Sequence, residues 1–315
     1  MADPSERPPI SLRYRLEYLA FWLVTVVLGV LPLGVAMRFA AGVAALIVRA
    51  SPRLRTIGLV NLRIAFPEKT DAERMEILVA SYRNLGRMAA ECAHMTEINA
   101  ANVRETVTPD DGPIWTNEIR PHLQSQGVLI LTGHFGNWEL CAYAYGLLGN
   151  PVSLVHQTIK NPLVDDWIER LRSGGGTRLF RKREAARSVL RSLKERKLVV
   201  LPLDQNQSRR AGIFVDFFGV PANTSDGLAR IALRTGAPIY PAFLLRDGES
   251  AHHRIVFLPR VEIGSMADRD SAARELTQRC TAVLEAMIRK HPDHWLWTHK
   301  RWRTRPLGEP ELYQA

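Results

Sequence analysis

The stretch Val128-Leu129-Ile130-Leu131-Thr132, followed at once by Gly133-His134-Phe135-Gly136-Asn137-Trp138-Glu139, limits the fold more than any other part of this chain. The five-residue run is short and apolar, as a strand covered on both faces requires, and sheets covered on both faces are typically parallel ones flanked by helices. Gly133 and Gly136 bracket the turn with residues free to adopt positive φ, so strand is expected to give way to helix within a few residues. His134 then lies at the carboxyl end of a strand, the edge where open α/β sheets bind ligands.

An imidazole titrates near neutral pH and can accept a proton from an attacking hydroxyl, while a carboxylate on its other nitrogen fixes the tautomer. His134 is read as that base and Glu139 as its orienting group. No serine occupies a nucleophile-elbow position, so direct attack by a substrate hydroxyl is expected over a covalent intermediate. Cys141 follows in an apolar helical stretch and reads as a small buried hydrophobe. The competing reading is a packing histidine with a first-turn helix glutamate.

Three features of composition narrow the class. Hydrophobic residues make up 46% of 315, ample for a core. The formal charge of +10 points to an anionic partner: phospholipid headgroups, a phosphorylated glycolipid, an acidic carrier protein or nucleic acid. Cys92, Cys141 and Cys280 show neither a C-x-x-C pair nor ligand spacing, so a reduced compartment is expected and no structural zinc; the base-catalysed transfer read from His134 calls for no metal or cofactor.

The N-terminus selects among those anions. Tyr18 to Met37 carries no charge, and about 20 such residues at 1.5 Å each span a hydrocarbon core. Arg38 and a second apolar run from Phe39 to Val48 replace the cleavage site of a signal peptide. Pro32 and Gly34 permit a kink, so the segment either spans the bilayer or dips as a pair into one leaflet. Residues 1–15 are expected to be a disordered tail, 16–50 a membrane anchor and 51–315 one catalytic domain.

Thr70-Asp71-Ala72-Glu73 is a capping-box pattern opening a long amphipathic helix. Beyond it, strand-like runs at 128–132, 151–155, 198–203, 239–245 and 254–258 alternate with helical patterns at 138–148, 163–172, 184–196 and 226–235, and a last helix covers 272–290. The expected fold class is therefore α/β, a mostly parallel central sheet flanked by helices, preceded by a hydrophobic membrane-anchoring helix.

Other polar groups fall where they can serve a site. Arg181 closes the segment before a helix whose Arg187, Arg191 and Lys194 form a basic stripe; its guanidinium is expected to clamp a phosphate or an oxyanion. Turn amides near Gly136 and Asn137 are expected to share that task. Asp204, Gln205 and Asn206 follow the apolar run 198–203 and are read as substrate-binding groups, against turn chemistry. Thr224 or Ser225 reads as an N-cap, with anion binding by the helix terminus as the sharper alternative. Gly174-Gly175-Gly176 lacks the lysine and hydroxyl of a phosphate loop. Trp295 and Trp297 read as a packed core strip within a segment of aromatics and bases.

Taken together, the apolar N-terminus, the H-x4-E motif from His134 to Glu139, Asn161-Pro162-Leu163, Asp204-Gln205, Phe217-Phe218-Gly219, the Thr224 helix start and Trp295-Leu296-Trp297 resemble the bacterial lipid A biosynthesis acyltransferases, within the lysophospholipid acyltransferase superfamily. The resemblance implies an acyltransferase at the cytoplasmic face of the inner membrane that takes an acyl chain from acyl carrier protein. The acceptor it implies is a hydroxyl of a phosphorylated glycolipid, a lipid A precursor. Where some members carry an arginine shortly before Asn-Pro-Leu, this chain has Gln157, which takes that substrate-contacting place. Nucleic acid is not expected as a partner. The alternatives are an acyltransferase acting on another glycolipid or lysophospholipid, a membrane-bound thioester or lipid hydrolase, and a non-enzymatic basic membrane protein.

Overall fold

The computed structural model describes residues 9–150, 152–181, 185–264 and 268–313. Its first helices are α1 (Leu12–Val30), α2 (Leu33–Ala50), α3 (Pro52–Ala65) and α4 (Asp71–His94). The uncharged run from Tyr18 to Met37 is therefore not one helix. Pro32 lacks an N–H and drives the residue before it out of helical geometry; Leu31 is extended, with φ −82° and ψ 145°. Helix α1 starts at Leu12, inside the segment expected to be a tail; residues 9–11 are outside any helix or strand, and residues 1–8 fall outside the described residues.

Helix α2 is long and apolar enough to cross a membrane, with a mean hydropathy of 1.7. One side of it, Ala36, Met37, Ala40, Ala41, Ala45 and Val48, is buried, and it lies along α4. Gly86 of α4 makes that approach possible, because a Cβ there would fall 2.4 Å from the Ala40 carbonyl oxygen. The capping box is formed as expected: the Thr70 hydroxyl accepts from Glu73 N at 3.2 Å and Thr70 N donates to the Glu73 carboxylate at 2.7 Å.

After the short helices α5 (Val103–Thr106) and α6 (Arg120–Ser125), strands and helices alternate: β2 (Val128–Thr132), α7 (Trp138–Leu147), β3 (Val152–His156), α8 (Pro162–Ser173), β4 (Arg178–Arg181), α9 (Ala185–Lys194) and β5 (Leu198–Pro202). With β1 (Val107–Thr108), β8 (Ile239–Arg246) and β9 (His253–Phe257) they form a seven-stranded sheet in the order β1-β9-β8-β2-β5-β3-β4. The pairs from β8 to β4 are parallel; β9 runs antiparallel to β8, and β1 follows β9. The class is the expected one. Besides the two-residue β1, two pieces escaped the periodicity. The strand β4 is too short and too basic to read as one, and β6 (Ile213–Phe217) pairs with β7 (Val220–Thr224) in a separate hairpin whose turn residues Phe218 and Gly219 both have positive φ.

Alternation along the buried strands separates two cores. Ile130 shares one with α7 and with Leu171 of α8, while Leu129 and Leu131 share the other with α9, α10 (Gly227–Thr235) and α11 (Arg269–Lys290). A third, aromatic core joins α3 and α4 to the hairpin and the C-terminal segment, and Trp295, Trp297 and Trp302 are at its centre. The packed-strip reading of Trp295 and Trp297 holds.

Strand β2 is flanked by β5 and β8, reached from opposite sides of the topology. Its carboxyl end is thus a switch point, the place in such sheets where loops diverge and leave a crevice.

Candidate active site

His134 stands two residues beyond β2, and Asp204 stands two residues beyond β5. The strands are paired in register, Thr132 opposite Pro202, and Leu203 N donates to Thr132 O at 2.9 Å, so the pairing continues past the strand ends. His134 and Asp204 are consequently brought side by side. The imidazole Nδ1 lies 2.9 Å from Asp204 Oδ1, and Oδ2 of the same carboxylate accepts from His134 N at 2.8 Å and from Trp295 Nε1 at 3.0 Å. Acceptance by a carboxylate assigns the proton to Nδ1. The Nε2 lone pair then faces outward and accepts from the Gln205 amide at 3.1 Å.

The expected partnership of His134 with Glu139 is replaced by this one. Glu139 is in the first turn of α7 and buried, and both of its oxygens are committed elsewhere: Arg172 Nε and Nη2 donate to them at 2.6 Å, and Trp138 Nε1 donates at 3.1 Å. Five residues of strand-to-helix turn carry the Glu139 carboxylate toward α8, whereas the parallel register supplies Asp204 directly. Arg172 carried no sequence signal that set it apart from the other basic residues. Asp204 did carry one, a carboxylate at the same offset from an apolar strand of the same length as the histidine's.

The electrostatics follow from the geometry. Burial disfavours the imidazolium of His134, but the charge and hydrogen bond of Asp204 outweigh it, with Glu139 adding, so the ring titrates above the ordinary imidazole value. Burial likewise opposes ionisation of Asp204, yet the imidazole and the His134 and Trp295 N–H groups hold its carboxyl well below the usual range. Burial alone pushes the Cys141 thiol up to about 12, which removes it as a nucleophile near neutral pH.

The anion-binding expectations need correction. The Gly136 amide donates to the His294 carbonyl at 2.8 Å, and a Cβ at this residue, φ +60°, would lie 2.1 Å from Leu244 O; the glycine packs the turn and offers no free amide. Asn137 caps α7, accepting from Leu140 N at 3.0 Å, while its amide donates to Glu91 at 2.8 Å. Arg181 is neutralised by Glu169 at 3.0 Å and Asp165 at 3.4 Å. His156, Asp165 and Glu169 have ligand atoms within 4.8 Å of one another, and Arg181 already supplies a positive charge to both carboxylates. The guanidinium that does reach the cavity is that of Arg172.

Among the remaining expectations, Gln157 and Gln205 line the cavity. Asn206 is spent on structure, exchanging hydrogen bonds with Thr304 at 3.1 and 3.0 Å. Thr224 ends β7, fully buried, with its hydroxyl bonded to Arg301; the N-cap position of α10 belongs to Asp226, and the anion-binding terminus is not formed from Thr224. Ser225 does line the cavity.

The cavity has a volume of about 640 Å³ and is mainly apolar. Its polar end holds His134, Glu139, Arg172, Gln157 and Gln205, and it continues under α7 along Ile130, Val200, Leu244 and Ile255. The lining reaches Tyr145 and Phe257, whose rings meet edge to face 5.7 Å apart with Trp115 stacked on Phe257 at 5.6 Å. From Trp138 to Tyr145 the helix covers about 10 Å at 1.5 Å per residue.

The sequence profile of the bacterial lipid A biosynthesis acyltransferases matches residues 9–304. The lipid A biosynthesis palmitoleoyltransferase of Escherichia coli (strain K12) is 25% identical over 93% of this chain and 95% of its own length. The lipid A biosynthesis lauroyltransferase of the same strain is 26% identical over the same shares, and its myristoyltransferase is 22% identical over 82% of this chain and 78% of its own. A match across nearly the whole chain, on an α/β fold with a histidine at the mouth of an apolar cavity, identifies the chain as an acyltransferase belonging to the bacterial lipid A biosynthesis acyltransferase family.

Proposed function

We propose that this enzyme transfers a fatty acyl chain from an acyl carrier protein thioester to a hydroxyl of a phosphorylated glycolipid, a lipid A precursor, with His134 as general base. The observation that carries the reading is the His134 Nε2 lone pair at the polar mouth of an apolar cavity, its Nδ1 proton held by Asp204. The acceptor hydroxyl displaces the Gln205 amide from Nε2, gives up its proton there, and its oxygen attacks the thioester carbonyl. The C–S bond breaks, and the imidazolium returns the proton to the leaving thiolate. Asp204 stabilises the imidazolium in between. The ion pair of Arg172 with Glu139 places a fixed guanidinium near the oxyanion or an acceptor phosphate. The acyl chain lies along the sheet face under α7, toward Tyr145 and Phe257.

An assay with radiolabelled acyl thioester, with and without a lipid A precursor, tests this. Label is expected on the glycolipid when it is present. Free fatty acid formed at the same rate regardless of glycolipid would make the protein a hydrolase.

The membrane reading rests on two apolar stripes, Leu12, Leu16, Leu19, Leu23 and Val30 on α1 and Val35, Phe39, Val43 and Leu46 on α2, all exposed. Because the other side of α2 is buried along α4, the pair lies in the cytoplasmic leaflet and does not cross the inner membrane. Ile10→Cys and Arg234→Cys are expected to react with a membrane-impermeant maleimide from the same side of inner-membrane vesicles. Labelling from opposite sides would mean that a helix crosses.

A further inference from the structure

We propose that the exposed basic face of α9 is the docking surface for the acidic, helical carrier protein that delivers the acyl thioester, a proposal that rests on the donor reading above. Arg187, Arg191 and Lys194 are all exposed, at i, i+4 and i+7 along α9, while Val189, Ser192 and Leu193 on the other side are buried. The helix therefore cannot turn its basic face inward. Among the described residues none of the three has an ion-pair partner; the neighbouring Glu195 is taken by Lys197 at 2.7 Å and Arg178 at 3.4 Å. Three cations on one helix face, none in an ion pair among the described residues, form a site complementary to an acidic helix.

Position relative to the cavity makes the face functional. Ala186 and Val189 line the cavity, one turn from the exposed cations. A carrier seated on α9 thus holds its thioester arm at the cavity wall, beside the carboxyl edge of the sheet where His134 stands.

The fold also favours a soluble partner over anionic lipid. Helix α9 packs on the sheet face shared with α10 and α11, whereas the apolar α1 is docked on α8, on the opposite face. That docking is specific: Phe21 meets Trp167 edge to face at 5.0 Å, and Asn161 Nδ2 donates to Tyr14 O at 2.9 Å. A bilayer covering α1 and α2 leaves α9 turned to the aqueous side. The lipid acceptor and the protein-borne donor approach the site from different layers, so neither has to leave before the other binds.

The test compares wild type with the full-length triple variant R187E/R191E/K194E in detergent, using an acyl carrier protein thioester and the same acyl group on free pantetheine. Reversing three rim charges is expected to raise KM for the carrier thioester about tenfold or more at low salt, with kcat retained and pantetheine turnover unchanged. Raising salt should weaken the wild type toward the variant. The gentler R187Q/R191Q/K194Q should fall between them. An unchanged KM for the carrier thioester, or equal losses on both thioesters, would overturn the proposal; so would an unchanged KM accompanied by lost binding to phosphatidylglycerol vesicles, which assigns the face to lipid. A wild-type enzyme that consumes acyl-pantetheine but never the carrier thioester would refute the donor reading itself, and the docking surface with it.

Discussion

His134→Ala is expected to lower kcat by about 10²–10⁴-fold, the usual contribution of a positioned general base, while leaving the fold intact. The side chain lies at the cavity mouth, 23% exposed, and its removal leaves Asp204 with its hydrogen bonds from His134 N and Trp295 Nε1. Steady-state transfer to the glycolipid, with circular dichroism as the control for folding, checks this. Turnover within a factor of a few of wild type in a folded His134→Ala protein would remove the proposed base.

Asp204→Asn should be comparably damaging for a different reason. Oδ2 accepts from two N–H groups, so an asparagine oxygen is retained on that side and the new NH2 faces His134 Nδ1. The ring must then accept at Nδ1 and carry its proton on Nε2, the wrong tautomer for a base directed at the cavity. The equivalent carboxylate-to-amide change in Ser-His-Asp enzymes costs about 10⁴-fold in kcat, and a loss of that order is expected here.

The pH profile separates this from simple damage. The proposed base must be neutral to accept a proton, so activity is expected to rise with pH through the pKa of His134, which Asp204 holds above the ordinary imidazole value against the effect of burial. Without the carboxylate, burial remains and the upward push is lost, so the residual activity of Asp204→Asn should have its acid limb at lower pH than wild type. Glu139→Gln should shift the limb less, since Glu139 contributes less to the raised value. It leaves Arg172 without its partner, a loss of about 3–5 kcal/mol where a buried pair is broken, so a lowered Tm will accompany its lower activity. A limb that moves more with Glu139→Gln than with Asp204→Asn would restore Glu139 as the orienting group.

The contrast between those two carboxylates shows where sequence reasoning stops. Glu139 is near His134 in the chain and was the natural candidate, whereas Asp204 is 70 residues away and becomes a neighbour only through parallel pairing of β2 with β5. Arg181 and Arg172 repeat the pattern: both are basic, and the acids placed around each decide which one reaches the cavity and which is locked against Glu169 and Asp165.

What the amino-acid order determined by itself is local. The apolar runs that must be buried on both faces, the capping box at Thr70, the proline that permits a kink at residue 32 and the glycines that allow the turn after β2 each depend on neighbours within a few residues, and they suffice for the fold class and for the place of His134 just beyond a strand's carboxyl end. Strand order was decided only in three dimensions, and with it the partner of the imidazole, the fate of Asn137, Asn206 and Thr224 as structural anchors, and the separation of the apolar helices from the basic one. Hydrogen-bond register between distant strands and the burial of charge against charge are properties of the packed chain; a residue type has them only once its neighbours in space are set.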